Sequence, residues 1–142
     1  MESVQKLTHI EHVLKRPDSY VGPVDLSTEA YWILNGNKSK FEKKNIKYSP
    51  ALLKIFDEIL VNAIDRNSTH PKNVSSIAVS IDKETGAVTI ENNGPLGGIS
   101  VRMHEKEGIW NPELVFGHLL TSTNYDDSQK RIVGGRNGYG AK

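Results

Sequence analysis

The chain has 142 residues, with 18 Lys+Arg against 17 Asp+Glu, a formal net charge of +1, 37% hydrophobic and 25% charged residues. That length fits one domain or part of one, and the composition excludes collagen, coiled coil and wholesale disorder. Zero cysteines exclude a disulfide scaffold, a thiolate metal site and a Cys nucleophile, and no apolar run approaches the ~18 residues of a membrane helix. The first residues, MESVQKLTHIEHVLKRPD, show no secretory-type apolar stretch. Near-zero net charge argues against a protein that binds nucleic acid with its whole surface.

In chain order, Val4, Leu7, Ile10, Val13 and Leu14 have helical spacing and predict a short amphipathic helix over 4–14, ended by Pro17. Residues 19–23 read as a turn into an extended piece, and 28–34 as a strand or short helix. Asn35-Gly36-Asn37 is a turn signal, and the basic stretch KSKFEKKNIK over 38–47 reads as a solvated loop. Ser49-Pro50 opens the clearest element, because Ser caps helices and Pro suits their first position. A helix is predicted over 50–66. Leu52, Leu53, Phe56, Ile59, Leu60 and Ala63 form its apolar stripe, and Glu58, Asn62 and Asp65 a second line on another face. Alternation over 76–81 and a return over 87–90, joined by a turn at 82–86, predict a β-hairpin. Asn92-Asn93-Gly94 leaves it as a tight loop. Asn111-Pro112 caps a helix to about Leu120. Residues 121–135 are polar and aperiodic, a loop of the length that lids and binding loops have. The glycine-rich segment GGRNGYGAK follows.

Three constellations carry candidate chemistry. Glu58 and Asn62 stand one helical turn apart, so both side chains can reach one ligand. A carboxylate there suits a general base toward water, and a carboxamide oxygen is a hard ligand suited to Mg²⁺. The plain alternative is a solvated helix face. Asn92 offers a donor and an acceptor that match the edge of adenine, against the alternative of a simple turn. In the segment Gly135-x-x-Gly138-x-Gly140-x-Lys142 the glycines let backbone N–H groups approach an anion, and Lys142 adds a point charge. It is not a Walker A loop, since Ala141 separates Gly140 from Lys142, and it does not follow a dinucleotide-binding strand. Taken in order, these features form a kit for a nucleotide. The five His residues lie at no metal spacing, and Trp32 and Trp110 read as packing residues.

The stretches HVLKRPDSYVG (12–22), ALLKIFDEILVNAIDR (51–66), ENNG (91–94), PELVFGHLLTSTNYDD (112–127) and GGRNGYGAK (134–142) occur in the order of one family. The chain resembles the amino-terminal ATPase region of eukaryotic-type type IIA DNA topoisomerases. These share a superfamily with gyrase, the heat-shock chaperone ATPase, histidine kinases and mismatch-repair ATPases. The resemblance implies an α/β fold of the two-layer α+β kind: a mixed sheet with helices on one face, the Bergerat-type ATP-binding fold. It places residues 1–142 as the amino-terminal part of an ATPase domain, with the rest of that domain, a transducer and a DNA-cleaving core expected beyond Lys142. It implies ATP and Mg²⁺ as cofactors, hydrolysis coupled to DNA strand passage, double-stranded DNA as partner of the parent protein, homodimerisation on ATP binding, no membrane, and a location wherever the DNA resides, the nucleus included.

By resemblance, Glu58 is the general base for the hydrolytic water, Asn62 the Mg²⁺ ligand bridging the triphosphate, and Asn92 the adenine reader. Ser122, Thr123 and Asn124 contact ribose and phosphate from the lid. Gly135, Arg136, Asn137, Gly138, Tyr139, Gly140, Ala141 and Lys142 form the phosphate-holding loop. Residues 16–22 pack beside the site near the dimer interface. The loop Pro95-Leu96-Gly97-Gly98-Ile99-Ser100 is longer than the family's usual Asn-Asn-Gly-x-Gly-Ile-Pro. The rival readings are a chaperone-like or mismatch-repair ATPase, and a nucleotide-binding module without turnover.

Overall fold

The computed structural model describes residues 4–142 except 96, 124, 127, 129–131, 136, 137 and 139. The chain divides into two compact units, Met1–Phe56 and Asp57–Lys142.

In the first unit, helix α1 spans His9–Lys15 and starts later than its apolar spacing suggests. The cause is a capping box. The Thr8 hydroxyl accepts from the Glu11 amide at 3.3 Å, while the Glu11 carboxylate accepts from the Thr8 amide at 2.8 Å. The Thr8 amide foremost, and the Thr8 hydroxyl, which donates to the same carboxylate at 2.8 Å, hold the Glu11 carboxyl below the usual carboxylate range. The piece after Pro17 is not extended: Asp18–Val21 forms a one-turn helix, α2, closed by Gly22 at φ +80°. Strand β1, Ser27–Leu34, pairs antiparallel with β2, Phe41–Tyr48, in a register that sets Trp32 opposite Lys43 and Leu34 opposite Phe41. The basic stretch is therefore a strand rather than a loop. Only Ile46 and Tyr48 share a half-buried face with Glu42, while Lys43 and Lys44 follow Glu42 without a break, so pairing with β1 decides the conformation.

Helix α3, Pro50–Thr69, runs through the boundary between the units. Ser49 starts it as predicted, its hydroxyl accepting from the Leu52 amide at 3.3 Å. Of its residues only Ala51 and Ala63 are buried, whereas Leu52, Leu53 and Ile59 of the predicted stripe are exposed. Apolar periodicity marks a face that can be buried; burial itself needs an apposed layer.

In the second unit, β3, Ile77–Ile81, and β4, Val88–Asn92, form the expected hairpin, with Val79 opposite Ile90. The Asp82 carboxylate accepts from the Glu84 and Thr85 amides and closes the turn. Val74, in the connection from α3 to β3, is fully buried, and the Asn67 amide group donates to its carbonyl. Among the described residues the strands make two two-stranded antiparallel sheets, and no parallel pairing joins them. Helix α4 spans Asn111–Gly117; Trp110 occupies the cap position expected for Asn111, whose amide instead donates to Ser100 Oγ at 3.1 Å. No described helix is long and apolar enough to cross a membrane.

Candidate functional site

The site is built on one ridge of α3, on which Asn62 is exposed and Glu58 and Asp65 are half-buried. At 3.6 residues per turn, Glu58, Asn62 and Asp65 fall within about 60° of one another around the helix, and about 10 Å separates its ends. The described ends of the glycine-rich segment meet the two ends of this ridge. At one end the Asp65 carboxylate accepts from two successive amides, Gly134 N–H to Oδ1 at 2.8 Å and Gly135 N–H to Oδ2 at 2.7 Å. At the other, Gly140 packs against Glu58 so closely that a Cβ at 140 would overlap Oε2 and stand 2.7 Å from Cδ. Asn62 lies between these anchors. Its side chain is exposed and has no hydrogen-bond partner among the described residues.

The segment is fastened a second time by its last residue. The half-buried Lys142 donates from Nζ to the Gly138 carbonyl at 2.7 Å and the Thr121 carbonyl at 3.1 Å. Burial pulls its ammonium below the usual lysine range. The Thr121 amide also donates to the Gly138 carbonyl at 3.1 Å. Thr121 in turn is tied to the end of α4, its hydroxyl donating to the carbonyls of Leu114 at 3.2 Å and His118 at 3.0 Å. Those carbonyls lack partners within the helix, so Thr121 closes the helix and holds the loop at once. Gly138 has φ +69°, and a Cβ there would stand 2.7 Å from the Thr121 carbonyl oxygen, so position 138 needs glycine on both counts.

The hairpin contributes Asn92. Its side chain donates from Nδ2 to the Ala63 carbonyl at 2.9 Å, tying the end of β4 to α3. A carbonyl can be met only by the NH₂ end of the amide, so the bond fixes which way the group faces and leaves Oδ1 as a free acceptor among the described residues. Asn93 is structural: its Oδ1 accepts from the Ser75 and Ser76 amides at 2.9 and 2.8 Å.

Of the residues singled out from the sequence, Glu58, Asn62, Gly135, Gly138, Gly140, Ala141 and Lys142 are thus brought to one ridge-and-loop assembly. Ser122, half-buried, and Thr123, exposed, follow Thr121 beside the Gly138 turn. Asn124, Arg136, Asn137 and Tyr139 lie outside the described residues. Sequence reasoning gave Asp65 and Thr121 no role. The signal for Asp65 was its place in the i, i+4, i+7 polar line; Thr121 carried none.

No protein-family model matches the chain. DNA topoisomerase 2 of Penicillium chrysogenum is 50% identical over 141 residues, which are 99% of this chain and 9% of that protein. The crystallised ATPase region of Saccharomyces cerevisiae topoisomerase II matches with a TM-score of 0.88 at 46% identity, over 97% of this chain and 36% of the solved one. The ATPase and transducer domains of DNA topoisomerase II from Balamuthia mandrillaris match with a TM-score of 0.87 at 50% identity, over 97% and 34%. The chain spans 9–10% of the length of the curated relatives it matches. Over its whole length it is a homologue of eukaryotic DNA topoisomerase 2, and its mixed α/β fold is that of the type II topoisomerase ATPase region.

Proposed function

We propose that the chain forms part of the ATP-binding and ATP-hydrolysing domain of a type II DNA topoisomerase. In this reading nucleotide turnover drives homodimer closure and the passage of one DNA duplex through another, wherever the DNA resides. The observation that carries the reading is the ridge of α3 with the glycine-rich segment anchored at both its ends. Backbone amides between the anchors bind the phosphates, and Lys142 exchanges its carbonyl partners for phosphate oxygens. The Asn92 Oδ1 accepts from the exocyclic amine of adenine. Ser122, Thr123 and Asn124 reach ribose and phosphate, and Arg136, Asn137 and Tyr139 complete the loop.

The ridge itself fits a metal–nucleotide complex better than a bare triphosphate. Glu58 and Asp65 would repel an uncompensated polyanion. Among the described residues no group of three His, Asp or Glu side chains is arranged to hold a metal. An unpartnered Asn62 oxygen is the kind of single protein ligand that Mg²⁺ takes when phosphates and water supply the others. Bound there, Mg²⁺ would neutralise phosphate charge. Glu58, one turn away, holds the attacking water and takes its proton. Gly140, lacking a side chain, leaves that carboxylate room to face the γ-phosphate.

Calorimetry with a non-hydrolysable ATP analogue beside a phosphate-release assay, run on the longer protein because this stretch alone is expected to hydrolyse poorly, tests the reading and separates it from a binding module without turnover. Stimulation of hydrolysis by duplex DNA in the longer protein separates it from a chaperone-like or mismatch-repair ATPase. Absence of analogue binding would overturn it.

A further inference from the structure

Asp65 is the member of the ridge to which the family resemblance assigns no task. Its two oxygens take the amides of Gly134 and Gly135, one each. A single acceptor would leave the peptide between those residues free to swing about one bond. Two acceptors on a rigid carboxylate fix both its place and its direction. The arrangement needs an acceptor at both positions, which only a carboxylate offers; Asp65→Asn would turn an NH₂ group against one of the amides. The peptide is also held sterically, since a Cβ at 134 would stand 2.8 Å from Val61 Cγ1, on the adjacent turn of α3. The far end of the segment is held separately, by Lys142 and Thr121. The two anchors bracket the loop, so the direction of its first peptide is set by Asp65. A peptide already held in its bound direction need not be ordered at the moment a ligand binds, and the lower ordering cost favours binding.

Resting on the ATP-site reading, we propose that Asp65 is a positioning residue for the phosphate-binding loop. It fixes the loop's first peptide, so that the amides beyond it stand ready for a polyphosphate, and it does not touch the nucleotide. An anion aimed at a triphosphate would oppose binding. Satisfied by two amides, this one instead spends its charge on the loop. The role predicts an effect on nucleotide affinity with the chemical step spared, because Glu58 and Asn62 are left in place.

The test compares wild type with Asp65→Asn, Asp65→Glu and Gly134→Ala, the last perturbing the same peptide from the loop side should an Asp65 variant not fold. Three readings are taken: calorimetric affinity for a non-hydrolysable ATP analogue with Mg²⁺, KM and kcat for phosphate release, and amide hydrogen exchange at Gly134 and Gly135. A hydrogen bond to a charged group is worth about a factor of ten or more. Asp65→Asn should therefore speed exchange at those two amides by about tenfold and weaken analogue binding to a similar degree. KM should rise with kcat within about twofold, Asp65→Glu should restore part of the affinity, and Gly134→Ala should weaken binding in the same way. Affinity within twofold of wild type overturns the role. So does tighter binding, which would mean that the carboxylate competes with phosphate for the amides, and so does a fall confined to kcat. A wild type that fails to bind the analogue overturns the ATP-site reading and this role with it. A binding wild type with indifferent variants overturns this role alone.

Discussion

Gly140 lies directly against the carboxylate of Glu58, with no space between them for a methyl group. Glu58 is on helix α3, and Gly140 belongs to the glycine-rich segment far along the chain. Their contact is what turns a helix face and a glycine-rich segment into one candidate site. Gly140→Ala should therefore displace either the carboxylate or the loop. The expected result is at least tenfold slower phosphate release and a loss of about 1–3 kcal/mol in stability from overpacking, read by denaturant unfolding.

Glu58→Gln keeps the shape of the side chain and removes its capacity to take a proton. Phosphate release should fall by about a hundredfold or more, the usual contribution of a general base, while analogue affinity stays within a few-fold. Steady-state turnover near the wild-type rate would remove Glu58 from the chemistry.

Asn92 must donate to the Ala63 carbonyl. Asn92→Asp would set an acceptor-only group against an acceptor, at a cost of about 1–3 kcal/mol for the unsatisfied pair. Urea unfolding of the two proteins measures it. Equal midpoints would show that the Asn92 amide does not hold the hairpin to α3. Adenine recognition should suffer too, because Oδ1 loses its fixed orientation.

Burial lowers the Lys142 pKa from its ordinary 10.5. The sign follows from linkage: below the folded pKa the protein carries the full cost of a buried charge, and that cost is relieved as pH rises through it. A bound polyphosphate acts in the opposite direction, favouring the charged form and raising the pKa. Analogue binding should thus be tightest while Lys142 is protonated and weaken as pH rises through its ligand-free pKa. Lys142→Met should flatten this dependence in a calorimetric pH series; a slope equal to that of the wild type would assign it to another group.

Much of this architecture was legible in the sequence, for local reasons. Ser49-Pro50 marks the start of α3 by capping chemistry, and strict alternation marks the β3–β4 hairpin. The ridge follows from helical spacing alone, since Glu58, Asn62 and Asp65 differ by four and three residues. What was not legible depends on partners distant in the chain. The strand nature of the Lys-rich β2 is decided by pairing with β1, because its own sequence carries no clean apolar alternation. The later start of α1 was visible in principle, in the Thr8-x-x-Glu11 signature, but apolar spacing outweighed it. The contact of Asp65 with Gly134 spans 69 residues, and no local pattern encodes a contact of that range. Likewise the exposure of Leu52 and Leu53 could not be read from a stripe that only marks what is able to be buried.

The most direct measurement is calorimetric titration of a non-hydrolysable ATP analogue into wild type and Asn62→Ala, each with Mg²⁺ and with chelator. Wild type should bind at least tenfold more tightly with Mg²⁺, and Asn62→Ala should lose most of that advantage, because in the proposed site the exposed amide between the two anchors is the cation's protein ligand. Binding that ignores both the cation and the substitution would mean that the nucleotide does not lie on the ridge of α3.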